Sequence, residues 1–88
     1  MLKPIHLRLF EKEVAKTKKR GKDIEKLKEV MRLLTFEEPL PPKNRNHKLK
    51  GDYVGYWECH IEPDWLLVYK KTETEIIFAR TGSHSDLF

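Results

Sequence analysis

The stretch Glu58–Tyr69, ECHIEPDWLLVY, decides the fold. At its centre Pro63-Asp64 reads as a tight turn, with proline at the second position, where its fixed φ is already correct. On the upstream side Trp57, Cys59 and Ile61 alternate with Glu58 and His60, the period-two pattern of a strand over Tyr56–Ile61. On the downstream side Trp65–Lys70 is an almost unbroken apolar run. That is the signature of a central strand covered on both faces. Two strands around so short a turn form an antiparallel hairpin.

Further along the chain, KTETE (71–75) is a polar turn. Ile76–Thr81 is a further apolar strand, and Gly82 ends it. Before the hairpin, EEPLPPKNRNHK (37–48) breaks regular structure with Pro39, Pro41 and Pro42. It reads as a semi-rigid loop carrying Lys43, Arg45, His47, Lys48 and Lys50 in close succession. Earlier still the period is helical. Phe10, Val14 and Thr17 share one face of a helix over Phe10–Arg20, which Gly21 stops and Lys16–Arg20 favour through the helix dipole. Asp23 reads as an N-cap or first-turn residue of a second helix over Asp23–Phe36, whose stripe is Ile24, Leu27, Val30, Met31 and Leu34. Ile5, Leu7 and Leu9 alternate within Leu2–Leu9 as a short first strand, with Pro4 placing it near an edge or at a strand start. The expected class is α+β: two N-terminal helices packed on one face of a small antiparallel β-sheet, in a single domain over residues 1–88.

The composition fits one modest core in 88 residues. A net charge of +4 favours an anionic partner without choosing between nucleic acid and an acidic protein. The single cysteine excludes an internal disulfide framework. No apolar run is long enough for a signal peptide or a membrane span, so the expected location is cytoplasmic, with no membrane partner.

Four histidines carry the chemistry worth weighing: His6, His47, His60 and His84. His6 sits in the first strand, away from the rest, and is read as structural. The others are too irregularly spaced for a metal motif, so neither a metal nor any other cofactor is expected. Cys59 shares a strand face with Trp57 and Ile61 and is expected in the core, not as a nucleophile. Acid–base chemistry on an RNA phosphodiester suits what remains. The 2′-OH is RNA's own nucleophile, so a protein must supply a base for its proton, an acid for the leaving 5′-oxygen, and cations for the phosphorane charge. His47, His60, His84 and Asp64 offer the first two; Arg80 and the loop cations offer the third. The run KTKKRGK (16–22) is a solvated helix end or, functionally, a contact to RNA backbone.

KKRGKDIEKLKEVMRLL, PLPPKNRNHKLKG, ECHIEPDWLLVYK and RTGSHSDLF together resemble the YafQ family of the RelE/ParE toxin–antitoxin superfamily. The resemblance runs through nearly the whole chain in order. It implies a RelE-like, microbial-ribonuclease-like fold and the toxin of a type II system. It implies a ribosome-dependent, metal-independent endoribonuclease (an mRNA interferase) that cuts mRNA in the ribosomal A site. The implied partners are a DinJ/RelB-like antitoxin, the ribosome and its mRNA, with operator DNA reached only through the antitoxin. Matched position by position, it implies catalytic roles for His47, His60, Asp64, Arg80 and His84. His84 would be the general acid, and His60 or Asp64 the base. Trp65 and Phe88 would orient or stack bases, beside substrate contacts from Arg45, Lys48 and Lys50. Trp57 departs from the arginine common in relatives and either removes a phosphate contact or simply packs. The rival functions are a ParE-like gyrase inhibitor, a non-catalytic RNA- or ribosome-binding module, and a toxin fold without activity.

Overall fold

The hairpin around Pro63-Asp64 forms the middle of the sheet in the computed structural model, which describes residues 1–88. The strands are β1 (Lys3–His6), β2 (His47–Lys48), β3 (Trp57–Glu62), β4 (Trp65–Lys71) and β5 (Glu75–Gly82). The helices are α1 (Arg8–Lys19), α2 (Ile24–Thr35) and a single-turn α3 (His84–Leu87). The sheet order is β1-β5-β4-β3-β2. None of the helices is long and apolar enough to cross a membrane.

β4 is central, as its apolar run predicts, and it sorts the two faces. Trp65, Leu67 and Tyr69 join Phe10, Leu27, Val30 and Leu34 in the larger cluster, under α1 and α2. Leu66 and Val68 point the other way and pack with Ala79, Leu87 and the half-buried Leu49, Tyr53 and Tyr56. Each aliphatic or Phe side chain buried in this way contributes about 1.5–3 kcal/mol. The helices form for the expected reasons: Phe10 and Thr17 are the buried face of α1, and the Asp23 carboxylate caps α2 by accepting the Glu25 N–H.

Three features differ from the sequence reading. First, the sheet is mixed: β2 to β5 pair antiparallel, but β1 pairs parallel to β5, Lys3 opposite Glu75 through His6 opposite Phe78. Local connections say nothing about this pairing, because two helices and three strands intervene. Second, β1 stops at His6. Leu7 caps α1 and Leu9 lies exposed on it, because the helical face of Phe10, Val14 and Thr17 captures the chain one turn earlier than the alternation suggests. Third, the proline loop is partly ordered by hydrogen bonds. Pro42–Asn44 and Gly51–Tyr53 form 3-10 turns, and His47–Lys48 adds to the sheet edge beside β3. Buried Asn44 donates to the His60 carbonyl (2.7 Å), and the Tyr69 hydroxyl donates to Asn46 (2.6 Å).

Candidate active site

The face of the sheet opposite α1 and α2 carries the chemistry. Register places His47 opposite Glu58, Glu58 opposite Val68, and Val68 opposite Arg80, one row across four strands. The next row runs from His60 to Leu66 to Gly82 and ends beside α3. An irregularity in pairing between His60 and Glu62 lets the turn follow at once. Lys22 and Lys26 both grip Glu62 (2.9 Å each) and hold that turn against α2.

Three imidazoles form a line. The ring centroids of His47 and His60 are 6.2 Å apart, and those of His60 and His84 are 5.9 Å apart. In each, an oxygen engages Nδ1: the Arg45 carbonyl for His47 (2.7 Å), the Pro63 carbonyl for His60 (3.2 Å) and the Asp64 carboxylate for His84 (2.8 Å). Oxygen acceptors assign the proton to Nδ1, which leaves Nε2 of each ring for chemistry. Nε2 of His47 and Nε2 of His60 lie 3.3 and 3.8 Å from Oε1 of Glu58, whose side chain is only 7% exposed. An approach of Nε2 to a carboxylate oxygen is attractive when a proton lies between them.

Asp64 and His84 form a separate, exposed pair. Asp64 Oδ1 accepts both the backbone N–H of His84 (3.0 Å) and its ring N–H. Those bonds, the backbone one foremost, hold the Asp64 carboxyl below the usual carboxylate range. The short α3 that carries His84 is fixed by a capping box between Ser83 and Asp86 and by burial of Leu87. Arg20, the C-cap residue of α1, clamps Asp86 at 2.6 Å, which keeps that carboxyl far below its ordinary range. Gly82 is required here: a Cβ on it would lie 3.1 Å from both Cβ and Oδ2 of Asp86.

Of the predicted residues, His47, His60, Asp64 and His84 come together. Phe88 is exposed at the same face, its ring edge-on to Tyr53 at 5.4 Å. Arg45 and Lys43 line a groove of about 790 Å³ that opens on His60. Lys50 is exposed beside the Gly51–Tyr53 turn. Arg80 lies on the same face but holds Glu13 of α1 in a bidentate ion pair.

Two predicted substrate contacts are corrected. Trp65 is 1% exposed in the larger core, and its indole N–H donates to Thr81 (3.0 Å), so it has no face for a base. Lys48 follows His47 on a strand and therefore points to the opposite face, where its ammonium lies 5.4 Å from the centre of the Trp57 ring. Trp57 also stacks on Tyr69 at 6.5 Å, so it packs on the helix side, away from the histidines. Cys59 is fully buried, and burial pushes its thiol up to about 12. His6 lies edge-on to Phe10 and Phe78, apart from the site. Three of the five basic residues in that run are engaged in structural pairs, Lys16 and Arg20 with Asp86 and Lys22 with Glu62.

Glu58 is the site residue the sequence reading passed over. The signal was present: it alternates on the same face as His60. The irregular histidine spacing gave no sign of a metal centre, yet ligand atoms of His47, Glu58 and His60 all lie within 4.8 Å of one another. Two imidazoles and a carboxylate from neighbouring strands suit zinc or copper(II).

A family model described as "Bacterial toxin of type II toxin-antitoxin system, YafQ" matches residues 3–88. The chain is 45% identical to an mRNA interferase toxin YafQ of Escherichia coli K12 over 80 residues, 90% of this chain and 87% of that one. The toxin in a crystal structure of the E. coli DinJ–YafQ toxin–antitoxin complex superposes with a TM-score of 0.93 at 41% identity, covering 99% of this chain and 97% of that one. A copper-bound mutant toxin from Helicobacter pylori superposes with a TM-score of 0.95 at 43% identity, over the whole of both chains. With the match spanning both helices, the whole sheet and the histidine line, this chain belongs to the YafQ family of bacterial toxins of type II toxin–antitoxin systems.

Proposed function

We propose that this chain is a ribosome-dependent mRNA endonuclease that works by acid–base catalysis without a resident metal. The observation that carries this reading is the line of three imidazoles, with an Asp64–His84 pair at one end and buried Glu58 at the other. The E. coli relative is named an mRNA interferase. The proton-accepting end is His47–Glu58–His60, where two Nε2 atoms share one carboxylate oxygen. The 2′-OH loses its proton to whichever of these two Nε2 atoms carries none, and its oxygen attacks phosphorus. The P–O5′ bond breaks as Nε2 of His84 gives its proton to the leaving oxygen, producing a 2′,3′-cyclic phosphate and a 5′-OH. Asp64 orients His84 and supports its charged form; this role replaces that of the base, because its Oδ1 is already occupied by His84. Arg45 and Lys43, on the loop that precedes His47, hold flanking phosphates, and Phe88 stacks on a base.

A DinJ-like antitoxin is the proposed partner, as in the E. coli complex. The net charge of +4 suits an acidic partner segment lying across the histidines.

The test is cleavage of mRNA on programmed ribosomes. The parent cuts within codons, and His84→Ala retains ribosome binding while losing at least ~100-fold in rate, the usual worth of a positioned acid. A parent that leaves mRNA intact but blocks gyrase supercoiling has the ParE-like activity instead. A parent that binds ribosomes and never cuts is a binding module.

The copper-bound H. pylori relative favours a second property for the same cluster. A zinc or copper ion on His47, Glu58 and His60 removes the proton-accepting end, so metal inhibits. Micromolar zinc or copper is expected to slow cleavage, and EDTA to restore it; acceleration by metal refutes the inhibitory role.

A further inference from the structure

Arg80 is the one candidate phosphate ligand whose charge is already matched within the fold. β1 stops pairing with β5 at Phe78, so the outer edge of Ala79–Gly82 has no strand beside it. α1 runs along that edge and Glu13 closes it. Glu13 Oε1 accepts the Thr81 N–H (3.3 Å) and the Arg80 Nε–H (3.0 Å), and Oε2 accepts from Arg80 Nη2 (2.7 Å). On its other side Arg80 Nη1 donates to the Tyr53 hydroxyl (3.2 Å), and Tyr53 carries the Phe88 ring. The two ion-pair side chains are only 20% and 13% exposed. These bonds, those to Glu13 foremost, raise the Arg80 pKa above its ordinary value.

A guanidinium has five N–H donors. Glu13 takes two and Tyr53 one, so one N–H remains on each of Nη1 and Nη2, enough for a second bidentate grip on a phosphate. Arg80 lies two strand spacings, roughly 10 Å, from Glu58 along one row of the same sheet face.

We propose that Glu13 is a positioning residue for the cleavage reaction: it fixes the Arg80 guanidinium by its Nε/Nη2 edge, with Tyr53 bracing Nη1, so that the two remaining N–H groups meet an RNA phosphate in the transition state. This rests on the endonuclease reading. It assigns Glu13 no contact with substrate; its effect passes entirely through Arg80. An arginine left free on the surface would have to be ordered at the moment of reaction, and prior fixation removes that cost.

The test is a double-mutant cycle on programmed ribosomes with Glu13→Gln, Arg80→Ala and the two combined. Urea unfolding of each variant measures any change in stability separately. Glu13→Gln is nearly isosteric, keeps a carbonyl acceptor for Thr81, and is expected to lower kcat at least tenfold with KM changed less than twofold. Arg80→Ala lowers kcat at least as far, and adding Glu13→Gln to it lowers kcat no further. Arg80→Lys is expected to behave like Arg80→Ala, since an ammonium cannot make two planar grips. If Glu13→Gln cuts as fast as the parent or faster, the ion pair is a brake or a mere staple, and the proposal fails. If the two substitutions multiply in kcat, Glu13 acts independently of Arg80 and the proposal fails in that way. A parent that does not cut at all overturns the endonuclease reading and this proposal with it, an outcome distinct from either.

Discussion

At the scale of single residues, what a side chain does here follows from which face of the sheet it takes. Glu58 and Cys59 are neighbours in sequence, yet one meets two imidazoles and the other is sealed in the core. Trp65 illustrates the same rule. The motif it belongs to suggests a base-stacking aromatic, but alternation along β4 turns it toward the helices. Trp65→Phe is therefore expected to lower stability by about 1–2 kcal/mol, through the lost N–H bond to Thr81 and the smaller ring. KM for ribosome-bound mRNA should stay unchanged. Urea unfolding and steady-state cleavage measure the two, and a raised KM at unchanged stability would return Trp65 to the substrate. Alternation makes the face of Cys59 readable from sequence, and it puts Glu58 beside His60; the carboxylate company kept by His47 is not readable, because it needs β2 laid against β3.

At the scale of elements, α3 is the least self-sufficient piece and bears the proposed acid. One helical turn is unstable alone. Four supports hold this one: the Ser83–Asp86 capping box, the Arg20–Asp86 ion pair, the Asp64–His84 bonds and Leu87 in the smaller apolar cluster. Three of the four rest on carboxylates that titrate, Asp86 in the capping box and the ion pair and Asp64 in the bonds to His84. The folded carboxyls of Asp64 and Asp86 are both shifted down, so their stabilisation is full above the ordinary aspartate value of 3.8. It is lost as pH falls through the folded values. Amide resonances of residues 83–88 are expected to broaden below about pH 4, before those of β4 change. Asp86→Asn should bring the same loosening at neutral pH. Coincident loss of both sets on acid titration would mean that α3 is held by the core alone. The helical hairpin, by contrast, was legible in advance, because its caps and its apolar stripe lie in the segment that folds.

At the scale of the whole molecule, the sheet separates two tasks. Its helix side holds the large core, and its other side presents a histidine-lined surface over the smaller cluster. β4 has five consecutive buried residues, Trp65–Tyr69, between β3 and β5. Hydrogen exchange is expected to be slowest at Leu66–Val68 and fastest in residues 50–56, where the 3-10 turn Gly51–Tyr53 contains no buried residue. Equal protection in the two segments would contradict that division.

The sequence by itself determined the local elements: the Pro63-Asp64 hairpin, the helix pair and its caps, the central β4, the buried Cys59. Each is set by residues within a few positions of one another, through side-chain period, turn chemistry and the helix ends. The identities of His47, His60, Asp64 and His84 were also readable, through the chemistry their side chains offer and the motif they share with YafQ toxins. Only the tertiary structure decided the parallel β1–β5 pairing, the Glu58 oxygen between two imidazoles, the Asp64–His84 pair and the Glu13 grip on Arg80. Apart from Glu58–His60, which alternation along β3 already aligns, those contacts join residues 11 to 72 positions apart. No local propensity encodes them; they exist because burying one apolar core leaves the strands a single register in which to meet.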